Sequence, residues 1–592
     1  MSEDEKQVKE KLRKEIIITL AKLTKEYNLD MPYIMQVIAS HDATPTEILA
    51  ELAKNEDGYV RENIARNRNT PPEVLAILAK DEDVEVRFEV AQNPNTPPEV
   101  LAILAKDEDP LTRENVVDNK NTPYEVRVEL ARDEDEDVID YIIDSNSIPI
   151  ETLIRFARDE DERLRSIAAL NENTPVEILI ELATNDSEWI RECVAKNPNT
   201  PPEVLTELAY DDDDDVRSAV ARNPNTPPYI LDELSDDWDE GVQEGVAGNY
   251  HALPETLKEL ARYDDWHIMT EIADNSNTPP ETLTELIQDL DISDIAEERK
   301  KEVRENVACN SNTPPEVLVE LAKDKDDDVR SAVARNPNTP PKVVMELIAS
   351  GNARICRSVT FNENLPQEAI AQLAKHEDAS VRDYLPTNKN TPPEVQAELA
   401  KDQEKRIREQ VASFGKHLLP ETIMALARDE DKDVRRHIKH NSNIQPEVLA
   451  DVLTQLAQDK DVNIRREIAA HEETPPKVLA ELAKDKEIDV QIAVAQNEKT
   501  PAETLRELAK TGGYKILACV AVNPNTPSEV LTNLPKAISE AVRQEHAKIE
   551  AKERVKKSFK DKSSDAVNRA KEQANNHDQS KSMGQKKGAR GE

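Results

Sequence analysis

Apolar residues in this chain fall into two short helical stripes that return at a fixed interval. In TPPEVLAILAKDEDVEVRFEVAQNPN, Thr70 to Asn95, Val74, Leu75, Leu78 and Ala79 share one face of a first helix. Val86, Val90 and Ala91 share one face of a second. Counted from the Thr of NTP, equivalent positions are Thr44, Thr70, Thr96, Thr122, Ile148, Thr174, Thr200 and Thr226, each 26 residues after the last. The series continues less strictly through Leu253, Thr278, Thr313, Thr339, Leu365, Thr391, Leu419, Gln445, Thr474, Thr500 and Thr526. About nineteen units therefore cover residues ~40 to ~535, which is the signature of a repeat array.

The polar positions read as punctuation. NPNTPP stands at Asn93–Pro98, Asn197–Pro202, Asn223–Pro228 and Asn336–Pro341. Pro94 disfavours helical geometry in the residue before it, and Asn93 tolerates a left-handed turn, so the second helix should stop there. Thr70 with Glu73 reads as a capping box, the hydroxyl accepting from an amide of the first turn. Pro71 and Pro72 should take the first two helical positions, whose amides have no intrahelical acceptor. The acidic run Asp81–Asp83 should end the first helix and cap the second. A polyproline ligand at Pro94 and Pro97 is the weaker account, because the helix start already explains both.

One unit offers too few apolar residues to offset an ordering entropy of roughly 1–2 kcal/mol per residue. Stacked units bury each other's faces. The expected fold is thus all-α, an α-solenoid of two-helix repeats without β-sheet. Residues 1–40 should form N-terminal capping helices, 41–535 the array with an irregular region at 229–303, and 536–592 a basic C-terminal helix and disordered tail.

The consensus DxDxxVRxxVAxNPNTPPEVLxxLAxD resembles the leucine-rich repeat variant family, and more loosely the second helix of HEAT-like repeats. The resemblance implies units that alternate an α-helix with a short 3₁₀ helix in a superhelix without sheet. One member type carries an iron–sulfur cluster on N-terminal cysteines. This chain has no Cys before Cys193, so that cofactor is not implied and none is expected.

Composition narrows the partners. Net charge is −43, with 33% charged and 3% aromatic residues. Residues 536–592 carry 15 Lys+Arg against 9 Asp+Glu, a net of +6, which leaves −49 for residues 1–535. A nucleic-acid partner is not expected for the solenoid. The basic tail would contact an anionic surface, fold back onto the array or serve as a passive solubilising tail. Cys193, Cys309, Cys356 and Cys519 lie at least 47 residues apart and fit a reducing cytoplasm. The start shows neither a signal peptide nor a membrane span.

Candidate chemistry is sparse. An Arg follows the Val of the second helix at Arg61, Arg87, Arg113, Arg165, Arg191, Arg217, Arg304, Arg330, Arg382, Arg408, Arg435 and Arg465. Stacking should align these as a ladder paired with nearby carboxylates, a structural role favoured over a track for an anionic ligand. The acidic turns lack the glycine and glutamate of an EF-hand loop, and His437 with His440 lacks further ligands. No metal site, no glycine-rich phosphate loop and no enzyme is expected.

The irregular region concentrates Tyr229, Trp238, Tyr250, Tyr263 and Trp266, five of nineteen aromatics. Trp238, Trp266, Tyr250, Tyr263 and His267 are the candidate partner-binding residues, against local repacking as the alternative. The excess at Leu286–Glu302 should lengthen a helix or project as a loop. The expected function is a non-catalytic protein–protein interaction scaffold. The alternatives are an accessory to an enzyme system that handles modified or pigment-bearing proteins, and an acidic mimic of nucleic acid that binds basic proteins.

Overall fold

A computed structural model describes residues 3–27, 32–42, 44–292, 295–544 and 547. Every regular element among the described residues is helical. First helices are short, as in Pro72–Leu78, Pro98–Leu104 and Pro202–Leu208, and bury one Val–Leu–Leu stripe each. Second helices run nine residues, as in Val84–Gln92, Asp214–Arg222 and Asp327–Arg335. They pack side by side on their successors through small residues such as Ala219, Val220 and Ala221. The family resemblance implied a 3₁₀ helix in each unit. Both helices are instead α, and among the described residues 3₁₀ turns occur at Leu385–Thr387 and Ile438–His440.

Punctuation works partly as the sequence implies. Asp83 caps the second helix by accepting from the Glu85 amide, and equivalent aspartates do so in most units. The threonine differs. Proline, not threonine, is the residue before the first helix, and it makes no side-chain cap. Thr96 Oγ1 donates 2.6 Å backward to the Val90 carbonyl, and Thr200 Oγ1 donates 2.5 Å to that of Val194. The hydroxyl therefore satisfies the end of the preceding helix, one of the carbonyls that every helix C-terminus leaves without an amide.

Asparagine also departs from the expected left-handed turn: Asn93 is extended, at φ −65° and ψ 124°. Extension aims its side chain at the neighbouring unit. Asn119 Nδ2 donates to Ala91 O at 2.7 Å and Asn93 O at 2.9 Å, while its Oδ1 accepts from the Asn121 amide. Asn197, Asn223, Asn249, Asn275, Asn310 and Asn336 repeat the arrangement. In most units a buried asparagine rung thus joins the unit to the one before, while at Ser145 a hydroxyl donates to Asp118 instead.

The chain forms two compact units. One comprises Met1–Pro71, Ala469–Glu472 and Leu479–Glu592, and the other Pro72–Ile468 with Glu473–Val478. In the first, the Glu3–Tyr27 and Pro32–Ser40 helices pack against Tyr514–Val522. Arg13 donates to Ala521 O at 3.3 Å and Asn523 O at 3.0 Å. Those are the two carbonyls that an asparagine of a following unit would take. Ile16, Leu20 and Leu23 of the first helix are buried as its pattern implies, while Val8 is exposed.

In the second unit, the excess residues lengthen both flanking helices, Pro280–Ile292 and Glu297–Cys309, to 13 residues each. Helix at the chain's end continues over 528–544. The tail NNHDQSKSMGQKKGARGE lies outside the described residues.

Candidate functional site

The arginine ladder is engaged inside the fold. Arg87, Arg113, Arg191, Arg217, Arg382, Arg408 and Arg435 each grip one aspartate of the next unit's turn through two hydrogen bonds, Arg217 reaching Asp237 at 2.7 and 3.1 Å. Arg304 pairs with Asp324 at 2.8 Å. Arg61, Arg165 and Arg465 donate to carbonyls of their own turn. Arg330 does the same and pairs with Asp327. Two-pronged bonds to a carboxylate are geometrically specific.

The aromatic candidates are dispersed. Trp238 is 77% exposed, in the turn before the Glu240–Gly248 helix, with the Arg217 guanidinium 5.4 Å from its ring. Trp266 is half-buried: its ring lies 3.6 Å from that of His267, and Arg299 of the lengthened helix sits 3.8 Å over it. Tyr263 is exposed in the same turn as Trp266, beside Ser235, Asp236 and Arg262. Tyr250 is exposed at the other end of the helices, where second helices finish.

A different surface gathers charge. The outward positions of the second helices from Pro110–Asp118 to Trp266–Asp274 carry Glu114, Asp118, Asp137, Asp140, Glu192, Asp215, Glu244 and Glu271. Glu192 pairs with Lys196 and Glu244 with Arg222, whereas Glu114, Asp215 and Glu271 form no ion pair among the described residues. Burial, then Asp137, Asp109 and Asp135, lifts the Glu114 carboxyl above its ordinary range. Glu192 lifts that of Asp215. Burial and then Glu244 lift that of Glu271. Gly248 makes room for this last group, since an added Cβ would meet Glu271 Oε2 at 2.6 Å. Trp189 lies on the same face, 45% exposed, and Tyr141 donates to Asp118. Trp189 sits second in its helix, a position held by Asp215 in the next unit, by Arg163 in the one before and by Asp137 two units before; that register was the signal available in the sequence.

Glu409, Asp431 and Asp433 come within reach of one another, and Lys405 Nζ stands among them at 3.3, 3.7 and 2.9 Å. The ammonium already supplies the positive charge there. Cys193, Cys356 and Cys519 are buried, and burial pushes the Cys193 thiol up to about 12. Among the described residues no helix is long and apolar enough to cross a membrane.

Residues 84–109 match the leucine rich repeat variant profile, and residues 191–250 match the leucine rich repeat variant domain profile. A solved structure described as a leucine-rich repeat variant with a novel repetitive structural motif is 30% identical, over 36% of this chain and 84% of that one, at TM-score 0.24. The chain belongs to the leucine-rich repeat variant family. Within this family member the repeat consensus supplies the stack, and the acidic face is an addition made at outward positions. Importin beta is similar at 11% identity over 89% of this chain and 86% of that one, at TM-score 0.29. Yeast importin-beta, Kap95p, is similar at 11% over 86% and 82%, at TM-score 0.27. No curated protein sequence matches.

Proposed function

We propose that this leucine-rich repeat variant protein is a non-catalytic scaffold whose second-helix face, from Pro110–Asp118 to Trp266–Asp274, holds a lysine- or arginine-rich segment of a protein partner. The observation that carries the reading is the crowding of carboxylates that the stack does not use. The ladder aspartate Asp211 is paired and held low, chiefly by its bonds from Arg191. Glu114 and Glu271 are raised by burial and then by neighbouring carboxylates, and Asp215 first by Glu192, an arrangement whose like-charge part a cationic partner relieves. Trp189 adds a ring face for a guanidinium. Trp238 extends the surface along the turn edge, whereas Trp266 is spent on Arg299. Buried thiols remote from one another suit a cytoplasmic setting.

The test is titration of an arginine-rich peptide onto wild type and onto the combined Glu114→Gln, Asp215→Asn, Glu271→Gln variant. The variant should bind at least about tenfold more weakly while melting no lower than wild type. Equal affinity would sink the proposal. Trp189→Ala distinguishes the nucleic-acid mimic: loss of binding at raised salt supports a specific peptide site, while an unchanged salt-sensitive affinity supports the mimic.

A further inference from the structure

On the same face the charge reverses further along, around the helices Asp327–Arg335 and Ala353–Val359. A hollow of about 360 Å³ opens there, lined by Ser331, Arg335, Arg354, Arg357, Ser358 and Phe361 together with Glu305 and Asp328. Asp328 is engaged by Lys301 and Arg354. Arg335 has no carboxylate partner among the described residues. Arg357 donates to the Tyr384 hydroxyl at 3.1 Å, and Tyr384 stacks on Phe361 at 4.6 Å, so an aromatic pair props the guanidinium. Ser331 is only 4% exposed, and its Oγ has no hydrogen-bond partner within the protein. A buried hydroxyl left without a partner costs stability, and retaining it calls for a reason.

We infer that this hollow binds a phosphate monoester, with Arg335 and Arg357 taking its oxygens and Ser331 and Ser358 offering hydroxyls. A dianionic, three-oxygen group suits guanidinium forks, which pair with phosphate in two-pronged geometry. Glu305, which lines the hollow from the preceding second helix, accepts from a hydroxyl or amide of whatever carries the phosphate. The carrier is either a phosphorylated side chain of a protein or a free phosphate compound. The inference stands apart from the basic-peptide reading, which uses different residues and a cationic probe.

Calorimetric titration with a serine-phosphorylated peptide, its unphosphorylated form and inorganic phosphate tests it. Saturable binding of phosphate, or of the phosphorylated but not the plain peptide, is expected. A peptide preference of about tenfold or more over phosphate assigns a protein source, and equal affinities a free compound. Arg335→Gln should weaken binding about tenfold or more. Ser331→Ala should weaken it too, yet leave the melting temperature equal or higher, because it removes the unpaired hydroxyl. Arg222→Gln, in the helix of identical sequence, should change nothing. Absence of saturable binding, or binding indifferent to Arg335→Gln and Ser331→Ala, overturns the proposal. Neither outcome touches the arginine-peptide result on Glu114, Asp215 and Glu271.

Discussion

The helices Asp214–Arg222 and Asp327–Arg335 have the same nine residues, DDVRSAVAR, and opposite surroundings. In the first, Arg222 pairs with Glu244 at 3.2 Å and Ser218 Oγ donates to Gly241 O at 3.2 Å. In the second, the equivalent positions of the next unit, 22 and 23 residues ahead, hold Arg357 and Arg354 instead of Glu244 and Gly241. Arg335 therefore faces an arginine where Arg222 has a carboxylate, and Ser331 Oγ makes no hydrogen bond, although Arg354 carries the same backbone carbonyl as Gly241. Arg217 grips Asp237, but Arg330 finds Ser350 where the aspartate would be and turns to Asp327 of its own helix. What a helix is, local sequence decides. What it presents to solvent depends on residues a full period away.

The largest effect should be the one both helices share. Asn223→Ala and Asn336→Ala each remove two donors to the preceding unit and an acceptor within the turn. Each should cost about 3 kcal/mol, read by hydrogen exchange in its own unit, because buried carbonyls are left unpaired. Clearly unequal losses at the two positions would break the claim that this rung is independent of surface charge.

Ladder arginines should separate the two. Arg217→Ala leaves a nearly buried carboxylate at Asp237 and should cost about 2–3 kcal/mol by denaturant titration. Arg330→Ala leaves no such group and should cost about 1 kcal/mol. Equal losses would show that the carbonyl bonds, not the aspartate, carry the ladder.

The smallest effect is the sharpest in sign. Asp215 and Asp328 hold the same position in the two helices. Glu192 raises the first, and Lys301 lowers the second through a hydrogen bond. A raised carboxyl binds its proton more tightly when folded, so Asp215 costs stability above its folded titration range and less as pH falls through it. Asp328 contributes stability above its ordinary range and loses it as pH falls through its depressed one. At neutral pH Asp215→Asn should therefore raise thermal stability and Asp328→Asn lower it, each by less than about 0.5 kcal/mol since Asp215 is exposed and Asp328 is only partly buried. Shifts of the same sign would contradict the two environments.

The period, the helix pairing and the aspartate caps were legible because each depends on residues within a few positions of one another. Asn93 stopping the helix before Pro94 was legible for the same reason, although not its extended backbone. The direction of the Thr96 bond was not, because a hydroxyl both donates and accepts and its acceptor lies six residues back. The asparagine rung was hidden further, in partners 26 and 28 residues away. Aromatic scarcity drew the eye to Trp238 and Trp266, but Arg299 over Trp266 depends on how the lengthened helix folds back. Trp189 stood in an otherwise ordinary unit, so only its register with Asp215 of the next unit marks its surface.

Arg13 at the Ala521 and Asn523 carbonyls has a meaning for association as well as for folding. An array built from near-identical units carries the instructions for adding one more, and a second molecule could supply it. Two vacant acceptors at the last unit would offer a growing point for filaments. By placing a guanidinium from its own first helix on them, the chain terminates that invitation internally. It can then keep the strong, directional bond that holds its units together without extending the same bond to its copies.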